Sequence, residues 1–170
     1  MKKIVFPSLF LILSLVLFNC HKIEQISDIP NIEYTSFTIF DTTDILGNYS
    51  KGGLLQFKFE DGDGDLGLAS PTITDVDSTN LFFTLYRKED GVLVQAPEND
   101  PLNPSDYRIP YMTRLGHNKI LKGTISVTFL YLFYEPTDTI VYEFYIKDRA
   151  NHDSNTITTN EIVINENNVY

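Results

Sequence analysis

Three aspartates at alternate positions, Asp61, Asp63 and Asp65, are interleaved with Gly62 and Gly64 in the stretch EDGDGDLG. Carboxylates about 6 Å apart repel one another by roughly 1–3 kcal/mol per pair. Glycines allow the backbone to bend sharply, so such a loop can turn several oxygens toward one point. A hard cation relieves the repulsion, and Ca²⁺ accepts irregular sets of six to eight oxygens. The stretch is not an EF-hand. Counting from Asp61, the sixth position is Leu66 rather than Gly and the twelfth is Thr72 rather than Glu, and the flanks read as strand.

A second acidic stretch, KDRANHDSN, carries Asp148, Asn151, Asp153 and Asn155. In an immunoglobulin-like topology the loop after the second strand and the loop between the last two strands lie at one end. The expected metal set is therefore Asp61, Asp63, Asp65, Asp148 and Asp153, with Ca²⁺ as the ion. Two other readings of these residues stand beside it. Gly-Asp loops are ordinary turn chemistry, and Arg149, Lys58 or Lys147 could neutralise the carboxylates instead.

Catalytic chemistry is poorly represented. The histidines are His21, His117 and His152, and no zinc-ligand cluster, nucleophile elbow or H-E-x-x-H is present. Paired carboxylates can hydrolyse glycosides, but acids in Gly-rich exposed turns do not sustain the raised pKa that a general acid needs. No enzymatic activity is expected, and a hydrolase is the less favoured alternative. A glycan- or protein-binding module is the stronger one. Tyr107 and Tyr111 flank Arg108-Ile109-Pro110 in a long irregular segment and are candidate ligand-binding residues, their competing role being to pack that segment onto the core. The absence of Trp argues against a typical sugar-stacking platform.

The elements that position these residues read as β throughout. Period-2 runs rich in Val, Ile, Thr, Tyr and Phe occur at 33–40, 53–59, 80–88, 92–95, 123–134, 139–147 and 156–164. Asp90-Gly91 is a hairpin turn between two of them. About seven strands without a helical period suit an all-β, immunoglobulin-like β-sandwich. Residues 96–122 contain four prolines and several basic residues, and are expected to wrap an edge or end of it.

The chain opens with Lys2 and Lys3 ahead of an apolar run over residues 4–18. At ~1.5 Å per residue that run reaches about 22 Å, short of the roughly 30 Å hydrocarbon core, and it fits a secretory signal. Cys20 follows and is the only cysteine, so no intramolecular disulfide can form. Leu17-Phe18-Asn19-Cys20 resembles the lipobox of bacterial lipoproteins, which implies cleavage before Cys20 and its acylation. The expected organisation is a signal peptide over 1–19, a lipidated Cys and tether over 20–30, and a sandwich over 31–170. Cleavage there removes two lysines and no acid, taking the formal charge from −10 to −12. Such a chain gains nothing from phosphate backbones, so nucleic acid is not an expected partner.

Phe59 to Gly67, Arg-Ile-Pro at Arg108 to Pro110, Asn118 to Gly123, and Tyr142 to Asn155 together resemble a group of uncharacterised Gram-negative lipoproteins. The resemblance implies an immunoglobulin- or cadherin-like domain, lipid-anchored at the cell envelope, and it implies no activity, since none is assigned to that group. Its partners would be the membrane through the anchor, most naturally the outer membrane, and a protein or glycan ligand.

Overall fold

The computed structural model describes residues 26–71, 78–113 and 119–170. The expected signal segment, Cys20, His21, Arg114 and His117 lie outside the described residues. Eight strands are present, β1 (Asn31–Thr43), β2 (Tyr49–Asp61), β3 (Leu81–Glu89), β4 (Val92–Gln95), β5 (Leu121–Tyr131), β6 (Thr139–Ile146), β7 (Ile157–Thr158) and β8 (Ile162–Val163). No helix occurs among the described residues.

The strands form two antiparallel sheets, β1-β2-β5 and β4-β3-β6-β7, with β8 also paired to β6. This is the strand order of an immunoglobulin-like sandwich, with β7 and β8 together in the place of the last strand. Alternation decides which side chains meet between the sheets. Phe37, Leu55, Phe57, Val127 and Phe129 point inward from one sheet, and Leu85, Tyr142, Phe144 and Ile146 from the other. Aromatic contacts join the layers: Phe57 meets Phe144 at 5.1 Å between centroids, and Phe129 meets Tyr142 at 5.4 Å.

The β3–β4 turn is Asp90-Gly91, both with positive φ (49° and 82°), the backbone that a two-residue hairpin of matching twist requires. Most strand ends differ by one to four residues from the sequence expectation, β5 ending at Tyr131 rather than residue 134, and two of the differences have a visible cause. β2 begins four residues before Gly53, because Gly52 and Gly53 lie beneath the rings of Phe40 and Phe37; a Cβ on Gly53 would sit 2.7 Å from the Phe37 ring. The expected final strand divides into β7 and β8 at Thr159, whose hydroxyl accepts the Tyr142 amide at 3.1 Å in place of a ladder bond.

Tyr142 places a hydroxyl inside the core. It donates to Leu102 O at 2.7 Å and lies 3.1 Å from the Tyr131 hydroxyl. Burial pushes both phenols above their ordinary pKa, so both stay neutral. Tyr142→Phe is expected to lower stability by about 1–2 kcal/mol, because Leu102 O loses its donor in a dry site. Urea denaturation of the two proteins measures it, and equal midpoints would contradict the role.

Candidate metal centre

The site is built where β2 leaves its sheet. Asp61 is the last residue of β2 and is fully buried. Its Oδ2 accepts the Leu66 amide at 2.8 Å, which closes the loop behind it. Leu66 is itself fully buried and pins the loop to the core. Gly64 and Gly67 adopt φ of 68° and 91°, in the left-handed region that glycine favours. The alternation of residue types then works as the spacing suggested. One carboxylate oxygen from each of Asp61, Asp63 and Asp65 lies within 4.8 Å of the others.

Two oxygens of these aspartates are left over. Asp61 Oδ1 and Asp65 Oδ1 are buried and accept no hydrogen bond among the described residues. A buried carboxylate oxygen without a donor is costly. The electrostatics agree with the geometry. The Asp61 carboxyl is pushed above its ordinary pKa by burial and by Asp63 and Asp65, against the Leu66 amide. Asp65 is also pushed up, by burial and by the charges of Asp148 and Asp63, against Arg149 and the Ala150 amide.

The second acidic loop does face the first. Asp65 accepts the Ala150 amide, and the Arg149 guanidinium donates to Gly67 O at 2.6 Å. Asn155 bonds Ile32 in both directions, at 2.7 and 2.9 Å. The two loops nevertheless contribute unequally. Asp148 is buried beside Asp65, but both of its oxygens are used within its own loop, Oδ1 by the His152 amide at 2.8 Å and Oδ2 by His152 Nδ1 at 2.9 Å. Asp153 is exposed and pairs with Lys147 at 3.3 Å. The carboxylates gathered at one point are Asp61, Asp63 and Asp65, with Asp148 behind them and Asp153 outside.

The cations do not take the place of a metal. Lys58 pairs with Glu33 at 3.9 Å and Lys147 with Asp153. Arg149 donates through Nη1 to the Leu66 and Gly67 carbonyls, and its Cζ lies 5.0 Å from the Tyr111 ring centroid. Sequence spacing could not show this choice, because it depends on two loops meeting from 82 residues apart. The donor set of close carboxylate oxygens without nitrogen or sulfur fits a hard divalent cation.

Tyr107 and Tyr111 take different roles. Tyr107 exchanges backbone bonds with Leu81 and sets its ring against Phe83 and Phe129, at 5.9 and 5.8 Å. Tyr111 is half-exposed beneath Arg149. Their segment covers the β3 side of the sandwich, as Pro110 also bridges Leu68.

The loop also touches the approach to the domain. The Gly62 amide donates to Ser27 O at 2.9 Å, and a Cβ on Gly62 would lie 2.5 Å from both Ile26 O and Ser27 O. The segment before β1 thus packs directly on the aspartate loop.

Comparison with family models, curated proteins and solved structures finds no significant match to this chain.

Proposed function

We propose that this protein is an envelope lipoprotein, anchored through Cys20, whose β-sandwich is a binding or structural module with a Ca²⁺ site formed by Asp61, Asp63 and Asp65. The observation that carries the metal reading is the convergence of the Asp61, Asp63 and Asp65 carboxylates within 4.8 Å, with Asp61 buried and its Oδ1 without a donor among the described residues. The Leu17–Cys20 motif after an apolar segment carries the anchor. The tether enters at the aspartate end, since Ser27 bonds Gly62, so the cation would brace the part of the domain nearest the membrane. Its work there is electrostatic: it offsets the repulsion of the three aspartates and fixes the loop to the preceding segment. No catalytic step is assigned.

A thermal melt of residues 21–170 in excess EDTA, then in millimolar Ca²⁺ or Mg²⁺, tests the site. With Kd of ~0.1 mM and ~1 mM Ca²⁺ the gain is about 1.4 kcal/mol, a rise in Tm of roughly 3–6 °C. The rise should be specific to Ca²⁺ and absent in Asp63→Asn. No shift with either ion at these concentrations sinks the metal reading. The anchor is judged separately, by whether Cys20→Ala moves the chain from the membrane to the soluble fraction.

A further inference from the structure

β5 is the outer strand of its sheet, paired on one side with β2. Among the described residues, no backbone hydrogen bond reaches its other side over residues 123–131. The opposite edge of the same sheet is closed. There Phe37 and Tyr170 exchange backbone bonds at 3.0 and 2.8 Å, and Ile39 N donates to Asn168 O at 2.8 Å.

An open edge is normally protected by charge, proline, a bulge or brevity. β5 has eleven residues. The run GTISVTFLYLFY over residues 123–134 contains no charged residue and no proline, the longest such run beyond the apolar N-terminal segment. The exposed face of β5 opens with Lys122, paired with Glu60 at 2.9 Å, and then carries Thr124, Ser126, Thr128 and Leu130, followed past its end by exposed Leu132 and Phe133. A groove of about 380 Å³ opens along the same edge, between Ile125 and Val127 and the side chains of Tyr107, Arg108, Ile109 and Met112.

We propose that the β5 edge is a self-association surface, pairing antiparallel with β5 of a second copy about a two-fold axis. Charge selects this occupant. Two chains of net charge −10 repel unless they meet where neither carries charge. In a two-fold antiparallel pair centred on residue n, residue n + k of one strand faces residue n − k of the other, so a paired span that carries no charge brings no like charges together. A pair centred on Thr128 sets residues 123–133 against the same residues of the second copy without one charged side chain. Leu130 and Leu132 then lie opposite Ser126 and Thr124 of the second copy and lose water contact. The two three-stranded sheets become one of six, and both open edges are removed.

Sedimentation equilibrium of the full chain in density-matched detergent, from 1 to 100 μM, tests the pairing. The expected mass is that of two chains at the upper end. Ser126→Lys/Thr128→Lys alters only exposed side chains and should weaken association by more than about tenfold, because the lysines at 128 face each other. Its melting curve at low concentration shows whether it stays folded. Wild-type protein of one-chain mass across the range overturns the proposal. So does a folded lysine variant that associates as strongly as wild type. Protection, in one-chain protein, of those 123–131 amides that do not bond to β2 would assign the edge to another occupant and likewise overturn it. The outcome is independent of the metal site, and the same runs in EDTA and in Ca²⁺ keep the two apart.

Discussion

Arg87→Ala is expected to cost about 2–4 kcal/mol of stability, because it leaves two largely buried carboxylates without their cation. Arg87 donates to Asp100 through Nε at 2.5 Å and Nη2 at 2.9 Å, and to Asp138 through Nη1 at 2.6 Å. The Asp100 and Asp138 side chains are only 7% and 11% exposed. Each carboxylate also organises a turn. Asp100 Oδ1 accepts the amide of buried Leu102, and Asp138 Oδ2 accepts that of Glu135. One guanidinium thus joins β3 to the turns on either side of β5. Arg87→Lys should recover only part of the loss, since an ammonium cannot reproduce the two-pronged contact. The same contact gives a pH signature. Burial alone would raise the Asp100 pKa, but the Arg87 bonds and charge and the Leu102 amide outweigh it and hold the carboxyl below its ordinary value. The stabilisation is therefore complete above the ordinary carboxylate range and is lost as pH falls through the lowered value. Urea midpoints at pH 7 and pH 3 check both statements. A loss under about 1 kcal/mol at pH 7 would show that water replaces Arg87 at both acids.

The second large effect is expected at Asp61. Asp61→Asn should abolish the Ca²⁺-dependent rise in Tm without lowering the Tm of cation-free protein at neutral pH. An Asn oxygen can still accept the Leu66 amide at the Oδ2 position, whereas the charge that repels Asp63 and Asp65 is gone. The sign of the pH dependence follows from the raised pKa. The folded state holds the Asp61 proton more tightly than the unfolded state does. Without cation, stability therefore falls as pH rises from the ordinary carboxylate value through the raised one. A bound cation needs the ionised form, so Ca²⁺ stabilisation should shrink as pH falls over the same interval. Melts of wild type and Asp61→Asn at pH 5 and pH 7, each with EDTA and with Ca²⁺, separate these effects. Identical pH dependence in the two proteins would mean that Asp61 does not titrate in the folded state, and the repulsion argument would fail.

The strands were legible because a half-buried strand writes its two faces into alternate residues. Leu55, Phe57 and Phe59 alternate with Gln56 and Lys58, and all three apolar residues are buried. Asp90-Gly91 was legible because few residue pairs accept two successive positive φ angles. The aspartate loop was legible for a similar reason, since glycines at alternate positions leave the intervening carboxylates free to converge.

What tertiary structure alone decided is how the polar groups were shared out. Asp148 and Asp153 have the same residue type and lie five positions apart, yet one is buried with both oxygens bonded to His152 and the other pairs with Lys147 in solvent. Arg149 could have met a carboxylate, but loop contact set it against the Leu66 and Gly67 carbonyls. No local pattern marks Asp100 and Asp138, which lie in separate turns, as partners of one Arg87 that leaves their side chains only 7% and 11% exposed. The sequence by itself determined the β architecture and the carboxylates available at the end of β2, because both follow from local backbone and face preferences. Which oxygens remain without a donor, and which strand edge stays open, depends on contacts between segments tens of residues apart, and no local pattern records those.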